Sequence, residues 1–222
     1  MSNQNTNSKE LEDTKTATVF GANGKVGQLI VSELLKRKYH VRAFVYKKHT
    51  LVSNKRLKII HGDVRNINNV NEALRGSNIV FSALGSWGTK NKDILSFGMK
   101  NIIPTMQKQN IKRIISVTGA DALLLQETQT FLQKMSRSIL RLLAQKILDD
   151  GEKHLELLSG SLLEWTVLRS PIMNSRKKET FVVDSRPCKP WETVSRKSVA
   201  LAMVSQAYEK SFIGQAPFIH KT

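Results

Sequence analysis

Hydrophobic residues along this chain fall into short β-prone runs separated by stripes with helical spacing. Thr16 to Phe20 is a first run that stops at Gly21, and from Lys25 the period changes, with Val26, Leu29, Ile30 and Leu34 recurring on one helical face. His40 to Val45 predicts a second strand, Lys58 to His61 a third and Asn78 to Ser82 a fourth, with a helical patch at Val70 to Leu74 between the last two. A helix over Ser96 to Gln109, interrupted by Pro104, leads to a fifth strand at Arg113 to Val117. A long helical region then covers Gln129 to Leu158, with a break expected near Asp149-Asp150-Gly151, before a sixth strand at Trp165 to Arg169. After Pro171 the pattern loosens. It contains a basic turn at Arg176-Lys177-Lys178, a strand over Thr180 to Val183, a loop from Pro187 to Pro190, a helix over Ser195 to Glu209 and a terminal strand at Pro217 to His220. Strands alternating with helices at this spacing specify an α/β fold, a doubly wound and mostly parallel sheet, with a small C-terminal lobe on the substrate side.

Composition narrows the class. A chain of 222 residues with 40% hydrophobic positions can bury a core of its own. One cysteine, Cys188, excludes a disulfide framework and fits a reducing, cytoplasmic setting better than a reactive thiol. The apolar runs are too short for a membrane span. Met1 to Thr14 is polar and lacks an apolar core, so it is expected to be a disordered leader rather than a signal peptide, leaving residues 15–222 as a single domain. The formal net charge of +17, from 35 Lys and Arg against 18 Asp and Glu, raises the question of a polyanionic partner.

The junction after the first strand carries the strongest chemical signal. Gly21-Ala22-Asn23-Gly24-Lys25-Val26-Gly27 is a G-x-x-G-x-x-G turn between a strand and a helix. Gly21 permits a tight exit, Gly24 lets backbone approach a diphosphate, and Gly27 allows close packing of helix on sheet, while the helix start offers free N–H groups to the anion. This is a Rossmann dinucleotide site. No Asp or Glu occurs from Leu34 through Gly62, so no acid is available for the ribose 2′-hydroxyl. Tyr46, Lys47 and Lys48 stand there instead, a pair of cations for a 2′-phosphate and a ring for the adenine, which favours NADP(H) over NAD(H). Nine basic residues lie between Lys36 and Lys58, which suggests that the charge excess gathers at that end of the groove.

Together with Gly62-Asp63-Val64, Ser82-Ala83-Leu84-Gly85, Ile115-Ser116-Val117-Thr118-Gly119, Trp165 to Pro171 and Val194 to Ala200, this loop resembles the atypical short-chain dehydrogenase/reductase superfamily, in its NmrA-like and biliverdin reductase B (flavin reductase)-like branch. The resemblance implies that Asp63 and Val64 border the adenine and that Ala83, Leu84 and Gly85 pass under the riboses and diphosphate. It also implies that Thr118, Gly119, Ser170 and Pro171 lie near the nicotinamide. For Asp63 an Asx-turn is the competing role.

The departures define the functional question. The Y-x-x-x-K acid pair of the superfamily is absent, because Ala43, Thr50 and Phe212 follow Tyr39, Tyr46 and Tyr208 at that spacing. Where the flavin reductase-like branch carries Ser and His, this chain has Gly119 and Pro171, and where arginine is common it has Tyr46. Thr118 is the one candidate hydroxyl for substrate or nicotinamide amide, against the role of a satisfied strand-end threonine. Two functions remain open: an NADP(H)-dependent reductase passing hydride to a flavin, quinone or small carbonyl acceptor, and a noncatalytic NADP-binding redox sensor or regulator of NmrA type.

Other constellations carry less. The five histidines show no metal-ligand spacing, so no metal is expected. Trp87 is expected to wall the substrate cleft or pack under a loop. On the helix after Phe131, Phe131, Met135, Ile139, Leu142 and Leu143 fall on one side and Lys134, Arg137 and Arg141 on the other, and the apolar side is expected to face the core. No nucleic-acid motif is present and aromatic residues are only 6%, which disfavours base stacking, although charge leaves nonspecific nucleic-acid binding open. Both a monomer and a homodimer fit the sequence.

Overall fold

The computed structural model describes residues 15–87, 89, 91–125, 127–176 and 180–222. The leader at Met1 to Thr14 and Lys177 and Lys178 of the basic turn lie outside the described residues. The first half of the chain runs β1 (Thr16–Phe20), α1 (Gly27–Lys36), β2 (His40–Val45), β3 (Leu57–His61), α2 (Ile67–Leu74), β4 (Ile79–Ser82) and α3 (Ile94–Lys108). It continues with β5 (Arg113–Gly119), α4 (Phe131–Ser159), β6 (Glu164–Ser170), β7 (Ile172–Asn174), β8 (Phe181–Asp184), β9 (Thr193–Ser195), α5 (Arg196–Ser205) and β10 (Phe218–Lys221).

The main sheet has strand order β3-β2-β1-β4-β5-β6-β10-β8 and is parallel except at its last edge, where β8 runs antiparallel to β10. The order in which strands are added reverses between β1 and β4, which run parallel, and this places a crevice beyond their carboxyl ends. The Rossmann α/β expectation therefore holds. On one sheet face Val19, Ala43, Ile115 and Leu168 pack with Ile30 and Leu34 of α1 and Val199 and Met203 of α5. On the other, Phe20, Val80, Ile114 and Val167 pack with α2, α3 and α4 through Val70, Met99, Ile102 and Leu155. Strands buried on both faces read as nearly continuous apolar runs, as observed.

Beyond β6, β10 joins the main sheet beside β6, β8 follows it, and β7 pairs with β9 in a small second sheet. Two helices differ from expectation. α3 is not interrupted at Pro104 but runs through it, because Pro104 faces solvent, where the Lys100 carbonyl that loses its donor can meet water. α4 does not break at Asp149-Asp150-Gly151; its one non-helical residue is Ala144 (φ −149°, ψ 37°), five positions earlier.

Candidate functional site

The strand exits meet at the glycine loop. Gly21 has φ +72°, and a Cβ there would sit 2.5 Å from the Ala83 carbonyl oxygen, so only glycine lets the end of β1 bend beside the end of β4. The Gly24 N–H donates to the Gly21 carbonyl at 2.9 Å. A Cβ on Gly27 would lie 2.0 Å from that same carbonyl, so Gly27 closes the loop upon itself as well as seating α1. Gly24 and Lys25 are exposed and Val26 is half-buried.

The helix that follows is distinctive in its start. α1 has no side-chain cap and no acid in its first turn. Every other described helix is capped. Asn66 serves α2, Thr130 forms a capping box with Gln133 on α4, and Ser195 serves α5. α3 is capped from a distance, by the Asp150 carboxylate, which accepts from the Leu95 and Ser96 N–H groups at 3.1 and 2.8 Å. Unanswered N–H groups and the helix dipole thus converge at the crevice only from α1.

Asn23 ties this loop to the exit of β2. Its amide donates to the Lys48 carbonyl at 3.2 Å and its oxygen accepts from the Thr50 N–H at 3.0 Å, while Gln28 donates to both the Asn23 carbonyl and the Thr50 hydroxyl. The Asn23 side chain is thereby committed to holding the segment that carries Tyr46, Lys47 and Lys48. All three of those residues are exposed, with the Lys47 ammonium 5.3 Å from the centre of the Tyr46 ring. The remaining basic residues of the Lys36–Lys58 stretch do not gather there. Lys36, Arg37 and Lys38 close α1 and Lys55, Arg56 and Lys58 precede or begin β3, at the opposite edge of the parallel sheet. Arg42 is turned onto the α2 terminus, donating to the Ala73 and Glu72 carbonyls. The expected concentration of charge at the groove is corrected to two lysines.

Asp63 accepts from the Arg65 N–H at 2.9 Å, which makes it an Asx-turn residue, and its own N–H donates to Asn69. Val64 is buried, and its carbonyl accepts from Asn101. At the exit of β4, Ala83 N–H donates to the Phe20 carbonyl, Leu84 reaches Gly98 of α3, and Gly85 has open space where a side chain would stand.

Thr118 lies at the end of β5, buried to 7% exposure, with its hydroxyl 2.9 Å from where a Cβ on Gly151 would sit. The hydroxyl has no hydrogen-bond partner among the described residues. Gly119 is exposed, and the Ser170 carbonyl beside it accepts from Ala120 N–H while the Ser170 hydroxyl donates to Pro171. Below Thr118, the buried His154 shares a 2.7 Å hydrogen bond with Ser116. Burial pushes the His154 imidazole down to about 4, partly opposed by Asp150. Asp150, which sequence reasoning took for a helix breaker, also accepts from the Ser86 hydroxyl at 2.6 Å and so joins the β4 exit, α3 and α4. A cleft of about 480 Å³ opens on it, lined by Asn91, Lys92, Asp93, Ser96, Lys146, Asp149, Asp150 and Lys153. The only signal for this role was an acid set among apolar and basic helical positions. Trp87 is 69% exposed and is absent from that lining, contrary to expectation.

Nothing in the spacing of Cys188 and His220 pairs them, yet with Glu192 they form a cluster whose ligand atoms lie within 4.8 Å of one another. Its groups already serve one another: the His220 ring faces Glu192 at 2.9 Å and the Arg186 carbonyl at 2.8 Å. Burial pushes the Cys188 thiol up to about 12, which keeps it protonated and unreactive. Of the three tyrosines, Tyr39 packs edge-on against Tyr208 beyond the C-terminal end of α1, and only Tyr46 stands at the strand exits.

This geometry has counterparts. The chain resembles a short-chain dehydrogenase/reductase from Veillonella parvula solved in complex with NADP (18% identity, TM-score 0.75, covering 93% of this chain and 94% of that one). It also resembles ChuY, an anaerobillin reductase from Escherichia coli O157:H7 (18% identity, TM-score 0.73, 93% and 97%). Both likenesses establish the fold. Among curated proteins, it is 32% identical over 117 residues to the 40 kDa subunit of mitochondrial NADH-ubiquinone oxidoreductase from Neurospora crassa, a match covering 48% of this chain and 31% of that subunit. The chain thus spans about a third of the length of that relative. A family model described as NAD(P)H-binding matches residues 21–210, from the first glycine of the loop past the end of α5, and the chain belongs to that NAD(P)H-binding family.

Proposed function

We infer that the protein is an NADP(H)-dependent reductase that delivers hydride to a flavin, quinone or small carbonyl acceptor without a Tyr–Lys acid pair. The observation that carries this reading is the α1 N-terminus, the one described helix start left without a side-chain or carboxylate cap, facing the crevice beside Lys47 and Lys48. Gly21, Gly24 and the N–H groups of Lys25, Val26 and Gly27 bind the diphosphate. Lys47 and Lys48, held by Asn23, attract the 2′-phosphate, and Tyr46 lies beside the adenine together with Asp63 and Val64. Ala83, Leu84 and Gly85 form the floor, and Gly119, Ser170 and Pro171 line the nicotinamide end. Bound NADPH supplies the hydride. Thr118 orients the acceptor or the carboxamide with its unpartnered hydroxyl, and the cleft in front of Asp150 admits the acceptor. Asp150 is committed to Ser86 and the α3 N–H groups and so is not the proton donor, and an electron-poor acceptor can take its proton from water.

The same commitment of Asp150 and His154 favours a second reading, an NADP-binding sensor that performs no turnover. Titration calorimetry with NADPH and NADH tests the cofactor assignment. NADPH is expected to bind more tightly, and Lys47→Ala with Lys48→Ala should remove about tenfold or more of that preference while leaving NADH nearly unchanged. Equal affinity for the two cofactors in the unmodified protein would overturn the NADP(H) assignment. Turnover of NADPH with FMN, riboflavin, quinones and small aldehydes separates the readings, since tight binding without oxidation of NADPH supports the sensor.

A further inference from the structure

α4 is amphipathic in the reverse sense to the one expected. Phe131, Met135, Ile139, Leu142 and Leu143, which recur at helical spacing on one face, point to solvent, with Phe131, Leu142 and Leu143 exposed by 79%, 86% and 76%. Leu125, in the segment leading to the helix, is also exposed. The face turned to the protein carries buried polar residues beside the half-buried Leu132 and Leu140. Gln133 is buried, and Arg137 is buried with its guanidinium on the Asp121 carbonyl and, at 2.5 Å, on Glu152. The reversal is confined to the part of the helix before the Ala144 kink. After it, Leu148, Leu155 and Leu158 are buried in the ordinary way. An apolar stripe of this size, held outward by a satisfied ionic anchor on the inner side, is an interaction surface.

Charge identifies the occupant. No acid occurs from Thr128 to Leu148, while Lys134, Arg141 and Lys146 are exposed along the stripe and have no carboxylate partner among the described residues. A symmetric contact between two copies would set these cations against one another with no acid on the segment to answer them, on a chain that already carries +17. A plane of anionic headgroups over an apolar layer answers both features at once. Among the described residues no helix is long and apolar enough to cross a membrane, so the contact is peripheral. We propose that the first half of α4, residues 131–143, is a docking face for an anionic lipid surface, with its apolar stripe in the headgroup boundary and Lys134 and Arg141 on the lipid charges.

Flotation of the full chain with vesicles of phosphatidylcholine alone, or of phosphatidylcholine with phosphatidylserine, tests this. Binding is expected to the anionic vesicles and to weaken as salt rises. Leu142→Ser with Leu143→Ser, at exposed positions that leave the core intact, should reduce it by about tenfold or more, and Lys134→Gln with Arg141→Gln by a similar factor. Unchanged NADPH affinity and thermal midpoint in both variants keep the result specific to the face. Failure of the unmodified chain to bind anionic vesicles, or binding that survives the serine pair, overturns the proposal. A self-association in sedimentation that the serine pair abolishes, without vesicle binding, also overturns it and assigns the face to a second copy.

Discussion

The two ends of the crevice are built by different means. At the proposed diphosphate end the shape is written in backbone. Gly21 and Gly27 bring main-chain atoms closer than any side chain permits, and α1 starts without a side-chain cap. At the proposed nicotinamide end Gly119 has open space where a side chain would stand, and shape is set by side-chain hydrogen bonds, Asp150 with Ser86 and His154 with Ser116. The first end presents a helix start to a phosphate-bearing ligand. The second supplies walls, the Thr118 hydroxyl and, in the cleft, the exposed Asp149 beside Lys92, Lys146 and Lys153, so it can position an acceptor.

Glycine substitution separates the ends most sharply. In Gly27→Ala the new Cβ meets a backbone carbonyl at 2.0 Å, and the loop must open to admit it. The expected outcome is loss of measurable NADPH binding and a destabilisation of about 3 kcal/mol. Gly119→Ala meets no protein atom within 4 Å and should leave the thermal midpoint of the unliganded protein unchanged. Thermal melts with and without cofactor measure both. Equal effects at the two positions would dissolve the contrast.

At the side-chain end the corresponding weak point is Asp150. Asp150→Ala strands the Ser86 hydroxyl and the Leu95 and Ser96 N–H groups together, at an expected cost of about 2–3 kcal/mol in chemical denaturation. NADPH affinity should fall much less than in Gly27→Ala, because the diphosphate end is untouched.

What could be read from the chain follows the same division. β1 and β2 appear with the expected bounds because both are apolar runs closed by a glycine or by polar residues, and a twice-buried strand needs no other information. The glycine loop was legible because its constraint is local backbone geometry. Side-chain constraints reach across sequence and were not. Asp150 caps a helix that starts over fifty positions before it, so within its own helix it resembles a breaker. The stripe on α4 announced a face without naming its neighbour, and burial of Arg137 by Asp121 and Glu152 turned that face outward. β7 and β9 are three residues each, too short for a period to register.

His154 gives the side-chain end a pH signature. In the unfolded chain the imidazole takes a proton near its ordinary value of about 6.5, whereas burial holds it neutral in the folded protein down to about 4. Between those values the unfolded state binds more protons, so the stability present above pH ~6.5 declines as pH falls, by up to about 3 kcal/mol near pH ~4. His154→Gln should flatten that part of the profile relative to the unmodified protein. Parallel profiles for the two proteins would mean that water or movement relieves the buried ring.

The smallest expected effect tests the buried Thr118 hydroxyl, which has no hydrogen-bond partner among the described residues. Thr118→Val keeps shape and β-branching in a strand end that is already buried, and since the described residues offer Thr118 no hydrogen bond, folding should lose less than about 1 kcal/mol. If the hydroxyl orients acceptor or carboxamide, turnover of NADPH should fall by about three- to tenfold, the worth of one neutral hydrogen bond, with the Kd for NADPH changed little. A fall in Kd affinity matched by an equal fall in kcat/KM would put the hydroxyl on the carboxamide, and a fall in kcat alone would put it on the acceptor. Unaltered kinetics would remove the Thr118 hydroxyl from the reaction and leave only the polar residues of the cleft before Asp150 to meet the acceptor.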